Sequence, residues 1–105
     1  MAHIMDKYFD AIVRSTSEIV QFDSSMQPAE DGAPFGKETA DCLAYFLRLA
    51  ESFGFEVHNY DNYIGEVVYG TGRDFAVLCH LDVVPAGSGW KYPPFGGVIN
   101  DDVSD

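Results

Sequence analysis

Apolar side chains recur at helical spacing near the start of this 105-residue chain. Phe9, Ile12, Val13, Thr16, Ile19 and Val20 share one face, which predicts an amphipathic helix over roughly residues 5 to 22. Gln21 to Phe35 holds two prolines, a glycine and several acids, and reads as a loop. A second helix is expected from Lys37 to Phe53, with Leu43, Phe46, Leu47 and Ala50 as its inner stripe. Gly54 then sits just past its end, where a left-handed residue closes a helix. Beyond it the pattern shortens to strand length. Phe55 to Tyr60 and Tyr63 to Tyr69 flank Asp61-Asn62, a turn pair, and Gly70-Thr71-Gly72 makes the next turn. Phe75 to His80 is apolar on successive residues, as a strand covered on both faces would be. Two helices followed by three or four strands predict an α/β architecture with helices packed on a sheet.

Composition narrows the possibilities. Hydrophobic residues make up 47% of the chain, including eight Phe and six Tyr, enough for a core and too many for a disordered segment. The formal charge of −11 makes nucleic acid an unsuitable partner, because phosphate contacts require clustered Lys and Arg. No apolar run approaches the ~20 residues of a membrane-spanning helix, and the start lacks the layout of a secretory signal. Met1-Ala2-His3-Ile4-Met5 resembles vector-derived sequence, so residues 1–5 are set apart and His3 is excluded from any site. Cys42 and Cys79 lack CxxC spacing and suggest neither a disulfide scaffold nor a zinc ribbon. Cys79, within an apolar run, is expected to be a small buried hydrophobe. Acidity and cysteine usage together point to a cytoplasmic protein.

The most informative stretch is Leu78 to Trp90, LCHLDVVPAGSGW, where a greasy run ends in His80-Leu81-Asp82. In extended backbone, residues i and i+2 point to the same side, so His80 and Asp82 can project together from a strand end. That end of an α/β sheet is where such folds place ligands. A neutral imidazole is a good zinc ligand, and a nearby carboxylate can take its other N–H and fix the ring. Taken alone, the tripeptide favours a plainer reading: a surface histidine satisfied by a local hydrogen bond.

The surroundings extend the motif. His80-Leu81-Asp82-Val83-Val84-Pro85-Ala86-Gly87, then Gly89-Trp90 and Pro94-Phe95, resembles the first metal motif of the co-catalytic zinc peptidases of clan MH, the aminoacylase and carboxypeptidase superfamily. Upstream, Ala33-Pro34-Phe35-Gly36 and Asp61-Asn62-Tyr63-Ile64-Gly65 are similar to the dipeptidase V branch, and the resemblance runs from about Asp6 to Asp102. It implies that residues 6–105 form the N-terminal part of an α/β/α sandwich catalytic domain. It also implies a zinc-dependent dipeptidase that cleaves dipeptides with a metal-activated water between two zinc ions. His80 then matches a zinc ligand. Asp82 matches the catalytic-site carboxylate that clamps that histidine and tunes the metal.

The resemblance also shows what is missing. The family's bridging aspartate lies in a DDKG-like segment, and Asp101-Asp102 is followed by Val103 rather than Lys. The paired glutamates and the other ligands have no match. One matched ligand falls short of the three that a catalytic zinc needs. The expectation is therefore a truncated piece of an enzyme, itself inactive, binding zinc weakly or not at all. Apolar surface meant for absent strands predicts self-association. Two other readings remain: an amidohydrolase of the same clan acting on N-acyl amino acids, and a noncatalytic α/β self-association module.

Other conspicuous residues receive plainer assignments. Trp90, Tyr92, Pro93, Pro94 and Phe95 are expected to anchor their loop against the domain. Ser88 lies in a Gly-Ser-Gly turn without the strand-to-helix elbow of a nucleophile. His58 is expected to face solvent, and Asp23, Glu30 and Asp31 to be solvated. Glu38 suits the first turn of the second helix, where the dipole favours negative charge.

Overall fold

The computed structural model describes residues 4–100. A 3₁₀ segment, Ile4–Tyr8, runs directly into helix α1, Phe9–Val20. Helix α2, Lys37–Ser52, follows the long loop, and strands β1, Glu56–Tyr60, and β2, Ile64–Val68, complete the regular elements. Both helices stand where the apolar periodicity put them. Among the assigned vector-derived residues, 1–3 lie outside the described residues, as does Asp101-Asp102.

The end of α2 follows from a single residue. Gly54 takes a left-handed φ of 92°, and its N–H donates to Glu51 O at 2.9 Å. Phe55 N–H reaches back to Ala50 O at 3.3 Å, so the terminal carbonyls are satisfied as in a Schellman closure. The chain then turns into an antiparallel hairpin, with Val57 opposite Val67 and Asn59 opposite Gly65. Asp61 and Asn62 both adopt positive φ, 56° and 62°, as a tight turn with right-handed strand twist requires. Asn59 Nδ2 donates to Asn62 Oδ1 and the Asn62 backbone N–H donates to Asn59 Oδ1, both at 2.8 Å, and Asn62 Nδ2 donates to Gly32 O at 2.7 Å. The hairpin tip is thereby fastened to the loop between the helices.

Helix α2 packs on the hairpin at Gly65. A β-carbon there would lie 2.7 Å from Leu43 Cδ1 and 3.0 Å from Leu47 Cδ2, so only hydrogen fits beneath the helix. Between the helices, the Tyr45 hydroxyl donates to the Glu18 carboxylate, and the Phe22 and Tyr45 rings lie 5.5 Å apart. Among the apolar residues described, Ala33, Cys42, Leu47 and Ala50 are the buried ones. The molecule is a slab 20 Å thick with a radius of gyration of 16.1 Å, against about 13 Å for a compact domain of this length. Two helices and a hairpin cover each other without enclosing a core.

The α/β class is as expected, consistent with an N-terminal part of an α/β domain, but the strand count differs. Two strands form among the described residues, not three or four. Phe75 to His80 pairs with nothing, and Phe75, Val77 and Leu78 are 91%, 78% and 98% exposed. A strand greasy on both faces needs neighbours along its edges and layers above and below, and the hairpin supplies neither. Cys79 accordingly is exposed rather than buried; Cys42 is the interior thiol, and burial pushes its pKa up.

Gly65→Ala should destabilise the fold by about 1 kcal/mol, because both leucines must move to admit a methyl group; matched chemical denaturation of the two proteins measures this. Hydrogen bonding to Glu18, then burial, pushes the Tyr45 phenol up to about 12 from 10. A raised folded-state pKa means that this contribution is intact below pH about 10 and is lost as pH rises toward about 12. Thermal melts across that window should show a loss of stability in the native protein that is smaller in Tyr45→Phe.

Candidate functional site

The segment bearing His80 and Asp82 is positioned by the loop between the helices. Asp23 starts the arrangement: its N–H donates to Glu38 Oε2 at 2.7 Å, tying the loop to the first turn of α2. Its own carboxylate accepts from the Ser25 N–H at 3.2 Å and the Ser25 hydroxyl at 2.6 Å, a local turn that Asp favours. Thr39 Oγ1 donates to Ser25 O at 3.4 Å from α2. Ser24 and Ser25 end up buried, with Ser24 only 3% exposed. Ser24 then grips the distant segment twice. Its hydroxyl donates to Leu81 O at 2.7 Å, and its carbonyl accepts the Val83 N–H at 3.3 Å. Ser25 and Val83 form a parallel bridge, the one pairing that the 75–83 stretch makes.

Within this bracket His80 and Asp82 do come together. His80 Nδ1 lies 2.8 Å from the main-chain carbonyl oxygen of Asp82 and 3.5 Å from its Oδ1. A carbonyl oxygen only accepts, so Nδ1 carries the ring proton and Nε2 presents its lone pair. The side chains are 80% and 70% exposed, so the ring stands open to solvent. The main-chain oxygen, rather than the carboxylate, is the nearer partner of the ring. The carboxylate is left to a longer contact.

Two clefts meet at this point. One, of 360 Å³, runs from His80 and Asp82 past Ser24, Thr39 and Asn62 to an apolar floor that includes Met26, Leu43, Phe46 and Tyr63. The other, of 440 Å³, also borders His80 and is lined by Ile19, Val20 and Phe22 and the Val83–Ala86 stretch. An imidazole with an outward lone pair at the lip of two clefts can serve as one metal ligand. It cannot make a whole site: no group of three or more His, Cys, Asp or Glu is placed to hold a metal among the described residues.

The remaining residues behave as loops and surfaces. Trp90 Nε1 donates to Ala86 O at 2.8 Å, and Trp90, Tyr92, Pro93 and Pro94 share an apolar depression with Ile12, Val13 and Thr16 of α1. Ser17 of α1 donates to Gly97 O, fastening the same loop. Gly87 and Gly89 take positive φ around Ser88, as a turn demands. His58 is exposed and pairs with Glu56 at 2.6 Å within the hairpin. Ser24 escaped the sequence reading because its neighbours' charges drew attention. The legible signal was Asp23-Ser24-Ser25, a turn-forming run whose polar groups must find partners if buried. No helix among the described residues is long and apolar enough to cross a membrane.

No family model matches the chain. Individual proteins do. The chain is 38% identical over 96 residues to Beta-Ala-Xaa dipeptidase of Lactobacillus delbrueckii subsp. lactis, covering 89% of this chain and 20% of that protein. Two others bear the name putative dipeptidase: SSP1012 of Staphylococcus saprophyticus, 36% identical over 99 residues, and YtjP of Bacillus subtilis, 39% identical over 93 residues. These alignments cover 91% and 86% of this chain, and 21% and 20% of the relatives. Over most of its length, then, the chain is similar to proteins named as dipeptidases, and it spans about a fifth of theirs.

Proposed function

We propose that this chain is part of a longer zinc-dependent dipeptidase of the aminoacylase and carboxypeptidase clan, to which it contributes one metal ligand, Nε2 of His80. The observation that carries this is the pairing of His80 Nδ1 with Asp82 at the lip of a cleft, in a chain similar to proteins named as dipeptidases. Zinc, when bound, supplies an activated water and polarises the scissile carbonyl. The chain's own part is to aim the imidazole, hold its proton on Nδ1 and place a carboxylate beside it. The apolar floor of the cleft suits a dipeptide side chain. The other ligands and the general base belong to the rest of the parent, and the 105-residue chain alone is inactive. The free thiols of Cys42 and Cys79 favour the cytoplasm as its compartment.

In the longer parent, Asp82→Asn should lower dipeptide hydrolysis and zinc affinity by about 10- to 100-fold, the usual cost of losing a ligand's partner. His80→Ala should cost more and reduce the zinc content found by elemental analysis. Full activity in His80→Ala, or indifference to chelators, would sink the zinc reading. Faster turnover of an N-acyl amino acid than of any dipeptide would sink the dipeptidase reading.

Exposed Phe75, Val77 and Leu78, with unpaired backbone, should drive the isolated chain to associate with itself. Light scattering over rising concentration should show a growing mass. A constant monomer mass at every concentration contradicts this.

A further inference from the structure

Ser24 touches the His80 segment at two successive peptide groups, and the second of these has a consequence for the ring. The N–H of Val83 and the carbonyl of Asp82 belong to one planar peptide unit. Ser24 O accepts that N–H at 3.3 Å, and His80 Nδ1 meets the oxygen of the same unit at 2.8 Å. The preceding unit is fixed as well, because Leu81 O accepts the Ser24 hydroxyl at 2.7 Å. Rotation of the Asp82–Val83 plane would turn the oxygen away from the ring and break the contact with Ser24 together. Hydrogen bonds in series through one amide also polarise each other, making Asp82 O a better acceptor.

We infer that Ser24 is a positioning residue for His80: its main-chain oxygen holds the Asp82–Val83 peptide and its hydroxyl the peptide before it, together setting the ring's tautomer so that Nε2 is the nitrogen offered to a metal. Ser24 does this from an interior position, 3% exposed, while the ring itself is open to water. Its loop is immobilised by Glu38 and Thr39 on α2, so the rigidity of that helix reaches the ring through Ser24. A solvated imidazole without this acceptor spreads its proton over both nitrogens. The inference rests on the reading of His80 as a ligand only for its purpose, not for its geometry.

The test uses the 105-residue chain with ¹⁵N-labelled histidine. Ring nitrogen shifts of His80, above the pH at which imidazole titrates, report which nitrogen holds the proton. The native chain should show the proton mainly on Nδ1. Ser24→Ala, which loses the hydroxyl's hold on Leu81 O but keeps the main-chain contact with Val83, should shift the population part of the way toward Nε2–H, and Ser24→Thr, which keeps the hydroxyl, should restore it. Val83→Pro removes the N–H that meets Ser24 O in the ring's own partner peptide and should give the larger shift, which guards against a Ser24 variant that fails to fold. Unchanged His80 tautomers in folded Ser24→Ala and Val83→Pro chains would overturn the inference. Zinc chloride titrated into the native chain separates the two ideas. Zinc-dependent shifts at His80, weakened about 10-fold or more in Ser24→Ala, support both. Absence of any zinc effect on native His80, with the tautomer shift present, leaves Ser24 its role, and the metal-ligand reading is then decided by the zinc content of His80→Ala in the longer parent.

Discussion

The geometry of the site depends on one contact between remote parts of the chain: Ser24 on the Leu81–Val83 backbone. No β-ladder holds Phe75 to His80, so without this grip nothing regular would fix where His80 stands. Two hydrogen bonds suffice because the loop that makes them is itself tied to α2 and its polar groups are buried. Burial matters here. A buried hydroxyl or carbonyl deprived of its partner costs about 1–3 kcal/mol, so the bracket resists exchange with water in a way that a surface contact would not.

The rest of the fold serves this arrangement in sequence. Gly54 ends α2 and turns the chain into the hairpin, and Gly65 lets the hairpin lie close beneath Leu43 and Leu47. Asn62 then fastens the hairpin tip to Gly32 in the inter-helix loop. The cleft beside His80 has walls from all of these parts: the loop, α2 and the start of β2. A single small molecule entering it would touch residues far apart in sequence, held together by a few polar ties and a thin apolar layer.

Much of this was legible in the sequence wherever the determinant is local. Helical periodicity located α1 and α2, Gly54 marked the end of α2, and Asp61-Asn62 marked the hairpin turn. The i, i+2 spacing of His80 and Asp82 leaves Nδ1 of the ring 3.5 Å from the carboxylate, although neither residue lies in a strand. Failures arose where the determinant is non-local. Phe75 to His80 has the composition of an interior strand but no neighbours to make it one, so it and Cys79 lie exposed. Ser24 looked like loop filler because its partners are 57 and more residues away. The nearer acceptor for the His80 ring proved to be a backbone oxygen, which no side-chain motif can display.

We propose that His80 presents Nε2 to a zinc ion while Nδ1 is held by the Asp82 peptide. The most direct measurement is an anomalous difference map, collected at the zinc edge, from crystals of the longer parent protein. A zinc peak about 2.0–2.1 Å from His80 Nε2 is expected, with Nδ1 still bonded to Asp82. A zinc ion bound elsewhere, with His80 outside its coordination sphere, or one bound through Nδ1, would contradict it.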